Sequence, residues 1–175
     1  MWYTHSRESV SLVLIGIVSD THNNLKNIEK IIELFNKEAV ELVIHTGDIT
    51  NAPSIAKFSN LNCGLVGVFG NNDRHEKGLK EKIDENRFEF DNPPKLITLK
   101  DRLVAIFHEP DEIESFIDSR QDIDIVVHGH THRYRNEFIN NVLLFNPGEC
   151  AGFIKGSNSI ATINLDNLEI KRIFF

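Results

Sequence analysis

Five short apolar stretches of this 175-residue chain stop in the same way. "LIGIVSDTH" closes on Asp20, Thr21 and His22, "LVIHTGD" on Gly47 and Asp48, and "LVGVFGNND" on Gly70, Asn71, Asn72 and Asp73. "LVAIFHE" closes on His108, and "DIVVHGHTH" on His130, Thr131 and His132. Carboxylate and amide oxygens with imidazole nitrogens, and no thiolate, suit Mn, Fe, Zn, Co or Ni better than a structural zinc site. The donors outnumber the needs of one ion. Two divalent cations sharing a carboxylate, roughly 3.5–4 Å apart, would accommodate them and would serve metal-assisted hydrolysis.

Spacing adds to residue type. Residues i and i+2 of an extended chain point the same way, so Asp-x-His and His-x-His predict extended backbone with both side chains facing one cleft. Gly129 would let its backbone approach closely and turn. Each fragment alone is ordinary: Gly-Asp makes turns, a strand-end histidine is usually a satisfied polar residue, and Asn71 could cap a helix. The signal lies in their order, each after a predicted strand, because ligands of open α/β sheets bind outside the carboxyl ends of strands.

The elements that must position these residues are legible. The runs at 12–18, 42–45, 65–69, 103–107 and 124–128 read as strands buried on both faces. "NNLKNIEKIIELFNKEAV" is an amphipathic helix with Leu25, Ile28, Ile32 and Phe35 inward and Asn23 or Asn24 as its cap. Further helices are predicted over 51–60, 74–84 and 110–119. "YRNEFI", "NVLLF", "SIATINL" and "LEIKRIFF" are strands separated by turn residues. Residues 85–95 read as a loop, since Pro93-Pro94 cannot sit inside a paired strand. Alternating strands and helices followed by a strand-rich end imply a layered α/β sandwich with mixed sheets. We expect an N-terminal extension over residues 1–11, with Trp2 and Tyr3 packing on the domain or a second subunit, and a single domain over 12–175.

The net charge of −7 argues against stable nucleic-acid binding or adsorption to an acidic membrane. It permits a small phosphorylated substrate, because a bound metal can invert the local field. Leu12–Val18 is too short to cross a membrane and leads into no cleavage pattern. Cys63 and Cys150 read as free thiols in a reducing cytoplasm.

With these pieces placed, the chain resembles the calcineurin-like metallophosphoesterase superfamily, whose ordered signature is D-x-H, GD, GN-(H/C/N)-(D/E), H and G-H-x-H. Here it reads "SDTH", "TGDI", "GNND", "FHEP" and "GHTH" across residues 19–132. "NPGE", 146–149, is similar to a late turn of the small bacterial and archaeal single-domain phosphodiesterases, and the eukaryotic retromer subunit shares their fold. The resemblance implies a four-layer α/β/β/α sandwich with two mixed β-sheets. It implies two divalent ions, Mn²⁺ first, with Ni²⁺, Fe²⁺, Co²⁺ or Zn²⁺ as alternatives. Asp20, His22 and His132 would hold the first ion, Asp48 would bridge, and Asn71, His108 and His130 would hold the second. The implied reaction is hydrolysis of a small phosphodiester by a metal-activated hydroxide attacking phosphorus in line, without a covalent intermediate. Asn71 would keep its NH2 for a phosphate oxygen while its carbonyl serves the metal.

Two departures from the pattern matter. Asn72 stands where many members carry a histidine that protonates the leaving group, leaving Asp73 as a support without that partner. A general acid contributes about 10²–10⁴-fold, so slow turnover on unactivated esters is expected. Glu109 replaces the glycine usual after the fourth-motif histidine. It would narrow or charge the cleft, or else point into solvent, and it leaves His108 the least supported ligand. His75 could replace the missing acid or be an exposed helix-start residue. His45 and His128 read as structural or as orienting neighbours. Arg133 and Arg135 could steer phosphate or pair with Glu137. The other functions weighed are a metal-binding scaffold with little activity, a nucleotide phosphomonoesterase, and a metal-dependent amide hydrolase that leaves "GNND" without a task. A homodimer is an open possibility.

Overall fold

In the computed structural model, residues 13–175 are described; the extension expected over 1–11 lies outside them. The motif-bearing runs form β1 (Leu14–Val18), β2 (Leu42–His45), β3 (Gly64–Val68), β6 (Arg102–Ile106) and β7 (Ile125–Val127). β1 to β4 (Glu89–Asp91) lie parallel, and the hairpin of β10 (Ser159–Asn164) and β11 (Ile170–Phe174) adds antiparallel to β1. That six-stranded sheet has the order β11-β10-β1-β2-β3-β4. The second sheet has the order β5-β6-β7-β9-β8, with β5 (Lys95–Leu99), β8 (Arg135–Ile139) and β9 (Val142–Asn146). Its β6, β7 and β9 are parallel, flanked by antiparallel β5 and β8.

Three apolar clusters make four layers. Ile15, Ile17, Ile44 and Val68 of the first sheet meet Val104, Ile106, Val127 and Phe145 of the second. The outer face of the six-stranded sheet, through Val18, Val43 and Leu65, packs on α1 (Leu25–Glu38), α2 (Ala52–Lys57) and α3 (Leu79–Glu85). The outer face of the five-stranded sheet, through Ala105, Val126 and Leu144, packs on α4 (Ile113–Ser119). Strands covered on both faces lose the polar alternation of a half-exposed strand. The two mixed sheets agree with the architecture expected.

Asn24 caps α1 by accepting the Asn27 amide at 3.1 Å. The inward stripe is Ile28, Ile31, Ile32 and Phe35; Leu25, expected inside, is 38% exposed at the helix start. Burial of a side chain such as Phe35 stabilises by about 1.5–3 kcal/mol. The expected loop over 85–95 contains β4, an edge strand on β3, and runs through Pro93-Pro94 into β5. Proline still obeys the rule, because both prolines fall between strands. No helix among the described residues is long and apolar enough to cross a membrane.

Candidate metal centre

The parallel strands of both sheets stop together, and their exit loops interlock. Beyond β1 and β2, the Asp20 amide donates to Gly47 O at 3.0 Å and the His22 amide to Asp48 O at 2.8 Å. Beyond β6 and β7, the Gly129 amide donates to His108 O at 3.1 Å. The sheets are stitched to each other where the His130 amide donates to Asp20 Oδ2 at 2.9 Å and His108 Nδ1 meets Thr46 O at 2.8 Å. Gly129 permits this contact: a Cβ there would stand 1.9 Å from Ser19 Oγ and 2.6 Å from Asp20 Oδ2.

The backbone at the two alternating motifs is not extended. Asp20, His22, Asp48, His130 and His132 all have positive φ, between 47° and 66°. Asp, Asn and His tolerate this left-handed region better than other non-glycine residues. The two-residue spacing therefore reflects loop turns past the strand ends rather than a pleat. His130 and His132 also turn to different neighbours: His130 Nδ1 lies 3.0 Å from Asn71 Oδ1, while His132 Nε2 lies 3.6 Å from Asp20 Oδ1.

The remaining expected ligands converge on the same place. His108 Nε2 is 2.9 Å from Asn71 Oδ1 and 3.5 Å from Asp48 Oδ1. His22 Nε2 is 4.0 Å from Asp48 Oδ2. His108, the least supported from sequence, is 1% exposed and fully enclosed by this group. Glu109 leaves its neighbour alone: it lines a separate groove with Arg74, Phe107 and Glu112.

The donor chemistry tests whether cations fit. His108 Nδ1 has a backbone carbonyl as partner and His132 Nδ1 has the Glu149 carboxylate, so each ring carries its proton there. Their Nε2 lone pairs then face carboxylate and amide oxygens across 2.9–3.6 Å. Lone pairs so placed repel unless positive charge lies between them. Asp20 Oδ1 and His22 Nε2 are buried without any hydrogen-bond partner. Asp20, His22 and His132, and separately Asp20, Asp48 and His108, offer ligand atoms within 4.8 Å of one another. The residues fit divalent cations.

Ionisation points the same way. Burial works against charge on Asp48, but the His108 ring and both nitrogens of Asn72 outweigh it and hold the carboxyl well below the usual carboxylate range. Burial also lowers His108, yet Asp48 prevails and raises it. Burial pushes Asp20 up, against the Ser19 hydroxyl and two histidines. The pocket thus stabilises added positive charge beside Asp48.

Three neighbours take on roles that motif reading left open. Asn72, seen as a lost acid, donates its amide N–H to Asp48 Oδ1 at 2.9 Å and its side chain to Asp48 Oδ2 at 2.7 Å. Asp73 accepts four backbone amides, from Asp48, Ile49, Thr50 and Gly70, at 2.7–2.9 Å. It ties the GD loop to the GNND loop and holds even Thr50, a β-branched residue, at φ 72°. Glu149 is buried and grips His132, a role the sequence reading missed. "NPGE" was the available signal: its Asn146 also fastens the GHTH loop through Gly129 O at 2.9 Å.

The leftover histidines stay outside. Burial lowers His45 to about 3, and its neutral ring accepts from the Gly47 amide and meets Thr21 Oγ1 at 3.0 Å. Burial lowers His128 to about 4, and the ring packs by Gly129 O and Asn146. His75 is exposed. Arg135 pairs with Glu137. Cys63 and Cys150 are free thiols.

Comparison with known proteins agrees with this geometry. Residues 13–168 match the family model described as the calcineurin-like phosphoesterase superfamily domain. A protein of Methanocaldococcus jannaschii named as a phosphodiesterase is 38% identical over 163 residues, covering 91% of this chain and 97% of its own. A solved structure described as a novel archaeal phosphodiesterase superposes with a TM-score of 0.84 at 37% identity, covering 93% of this chain and 99% of that one. The phosphoesterase YfcE of E. coli shares the fold, with a TM-score of 0.66 at 19% identity over 91% of this chain and 98% of its own. So does Vps29 of Entamoeba histolytica complexed with zinc, with a TM-score of 0.63 at 17% identity over 93% of this chain and 98% of that one. Motif order, sheet topology and family match coincide, and the chain belongs to the calcineurin-like phosphoesterase superfamily.

Proposed function

We propose that the protein is a metal-dependent phosphodiesterase with a dinuclear centre acting on a small phosphodiester. The observation that carries this is the convergence of Asp20, His22, Asp48, His108 and His132 from both sheets, joined by Asn71 and His130, with Asp20 Oδ1 and His22 Nε2 left buried and unpartnered. Asp20, His22 and His132 would hold one cation, Asn71, His108 and His130 the other, and Asp48 would serve both. Two such cations would acidify a water and neutralise charge on the phosphoryl oxygens. Mn²⁺ suits the mixed oxygen and imidazole set, as do Fe²⁺, Co²⁺, Ni²⁺ and Zn²⁺.

The chain's own residues supply orientation. Asn72 fixes both oxygens of Asp48, and Asp73 fixes the backbone beneath it. Glu149 sets the His132 tautomer, as carboxylates do for metal-binding histidines. Asn71 uses its carbonyl toward the centre, which leaves its NH2 to donate to a phosphate oxygen. Asn72 holds Asp48, and its amide is no general acid for a leaving group. Diesters with good leaving groups should turn over fastest.

The test is hydrolysis of bis(p-nitrophenyl) phosphate by chelator-stripped protein as Mn²⁺ is titrated in, with Asp48→Asn alongside. We expect metal-dependent turnover, lost by at least 10³-fold in the variant together with both metal equivalents (an order-of-magnitude expectation for removing the shared ligand). No turnover with Mn²⁺, Ni²⁺, Co²⁺ or Zn²⁺ would overturn this reading in favour of a metal-binding scaffold.

A further inference from the structure

The centre opens on one side into a groove of about 320 Å³ bordered by His22, Asn72 and Phe153, with Asn23, Asn51 and Glu76 along it. Phe153 is 70% exposed. An aromatic ring left in solvent forgoes the burial that usually places it in a core. The loop beneath this ring is nevertheless firmly fastened. Asn24 Nδ2 donates to Ala151 O and Asn27 Nδ2 to Cys150 O, each at 2.8 Å. The Phe153 amide donates to Glu149, the same carboxylate that grips His132. The ring lies nearly parallel to the His132 ring, with centroids 5.4 Å apart and 18° between planes, and 5.2 Å from His22. Phe153 thus packs against two expected metal ligands while it also borders the groove.

The groove's chemistry narrows what could lie there. Among the described residues no lysine or arginine lines it, whereas Arg133 and Arg135 line the groove beside His130 on the other flank. An arm carrying a further phosphate finds no partner beside Phe153. A neutral ring with amino and hydroxyl groups does: the ring stacks, and the amides and carboxylate of Asn23, Asn51 and Glu76 can accept or donate hydrogen bonds.

We propose that Phe153 is a specificity-determining residue, the platform on which an aromatic ring carried by one arm of the phosphodiester stacks, so that the substrate class is a nucleoside-type diester rather than an alkyl one. The proposal rests on the phosphodiesterase reading above. Stacking on an aromatic side chain uses the π-face that every base has, so Phe153 selects for a ring and not for a particular base.

The test is calorimetric binding of adenosine 5′-monophosphate and of methyl phosphate to Mn²⁺-loaded protein, which needs no turnover. The two carry the same phosphate monoester group and differ in the nucleoside, whose ring contribution the Phe153 variants isolate. We expect the nucleotide to bind on the order of tenfold more tightly. Phe153→Leu, which keeps an apolar cover over His132, should abolish that preference while methyl phosphate binding and metal content stay unchanged. Phe153→Tyr should retain it within about twofold, since its ring stacks equally. Equal binding of both ligands by the wild type would overturn the proposal, as would equal weakening of both by Phe153→Leu, which would make the ring only a cover. Absence of binding by both ligands would overturn this proposal as well, whereas the phosphodiesterase reading stands or falls on turnover of bis(p-nitrophenyl) phosphate.

Discussion

The exit loops of the six-stranded sheet bring Asp20, Asp48 and Asn71 to the site with one imidazole, His22, whereas those of the five-stranded sheet bring imidazoles alone, His108, His130 and His132. The two halves are also held by opposite means. The oxygen-rich half is fixed by donors: four backbone amides on Asp73, and the Asn72 amide and side chain on Asp48. The imidazole half is fixed by acceptors, Thr46 O behind His108 and Glu149 behind His132. Neither half is a site. Placed face to face they form a basin of lone pairs that favours added positive charge. Cation binding is therefore linked to the docking of the sheets, and metal should raise the unfolding temperature.

The largest effect should come from the donor-held half. Asp73→Asn leaves one acceptor oxygen for four amides, so we expect a loss of about 2–4 kcal/mol in stability, from hydrogen bonds to a charged group worth about 1.5–3 kcal/mol each. Activity should fall with it as Asp48 loses its footing. Urea unfolding decides: an unchanged midpoint would mean that the loops do not depend on this carboxylate.

A smaller and local effect is expected from the acceptor-held half. Glu149→Gln keeps the shape but loses the charge behind His132, and Mn²⁺ affinity at the proposed Asp20–His22–His132 position should drop about 10–100-fold with the fold intact. Metal titration should show one site weakened. Weakening of both, or of neither, would overturn the assignment of His132 to that position.

The smallest effect should come from His128, which shares the "HGHTH" run but faces away. His128→Gln should leave metal content near normal; loss of a full equivalent would reassign the histidines. This substitution should also change acid stability. Folding lowers the His128 pKa from 6.5 to about 4, so between these values the unfolded chain binds more protons than the native one. That contribution to stability is complete above pH 6.5 and is lost as pH falls toward 4. Thermal melts across this window should show a shallower acid decline for the variant.

Much of this was readable in the residues. Five apolar runs gave the motif-bearing strands because strands covered on both faces have no polar alternation to obscure them. The chemistry-bearing residues followed from where those runs stop. The backbone at Asp20, His22, His130 and His132 did not, since the same two-residue spacing fits a pleat or a turn. β4 was hidden because "FEFDNPP" has only three pairing residues before its prolines. Asp73 was legible as a support, but what it holds, and the whole role of Glu149, were hidden for another reason. Their work is done on partners 17 and 25 residues away, and only the folded chain brings these together.

The left-handed turns at Asp20, His22, Asp48, His130 and His132 have a further consequence. They restrict the alphabet of the site before coordination is considered. Asn, Asp and His can exchange there with little conformational penalty, whereas branched or bulky replacements would oppose the backbone itself. Variation at these five positions should therefore run along a short path, Asp to Asn and His to Asn, each step removing a charge or a ring while the loop keeps its shape. A centre built this way can lose its metal chemistry one residue at a time and still keep its fold.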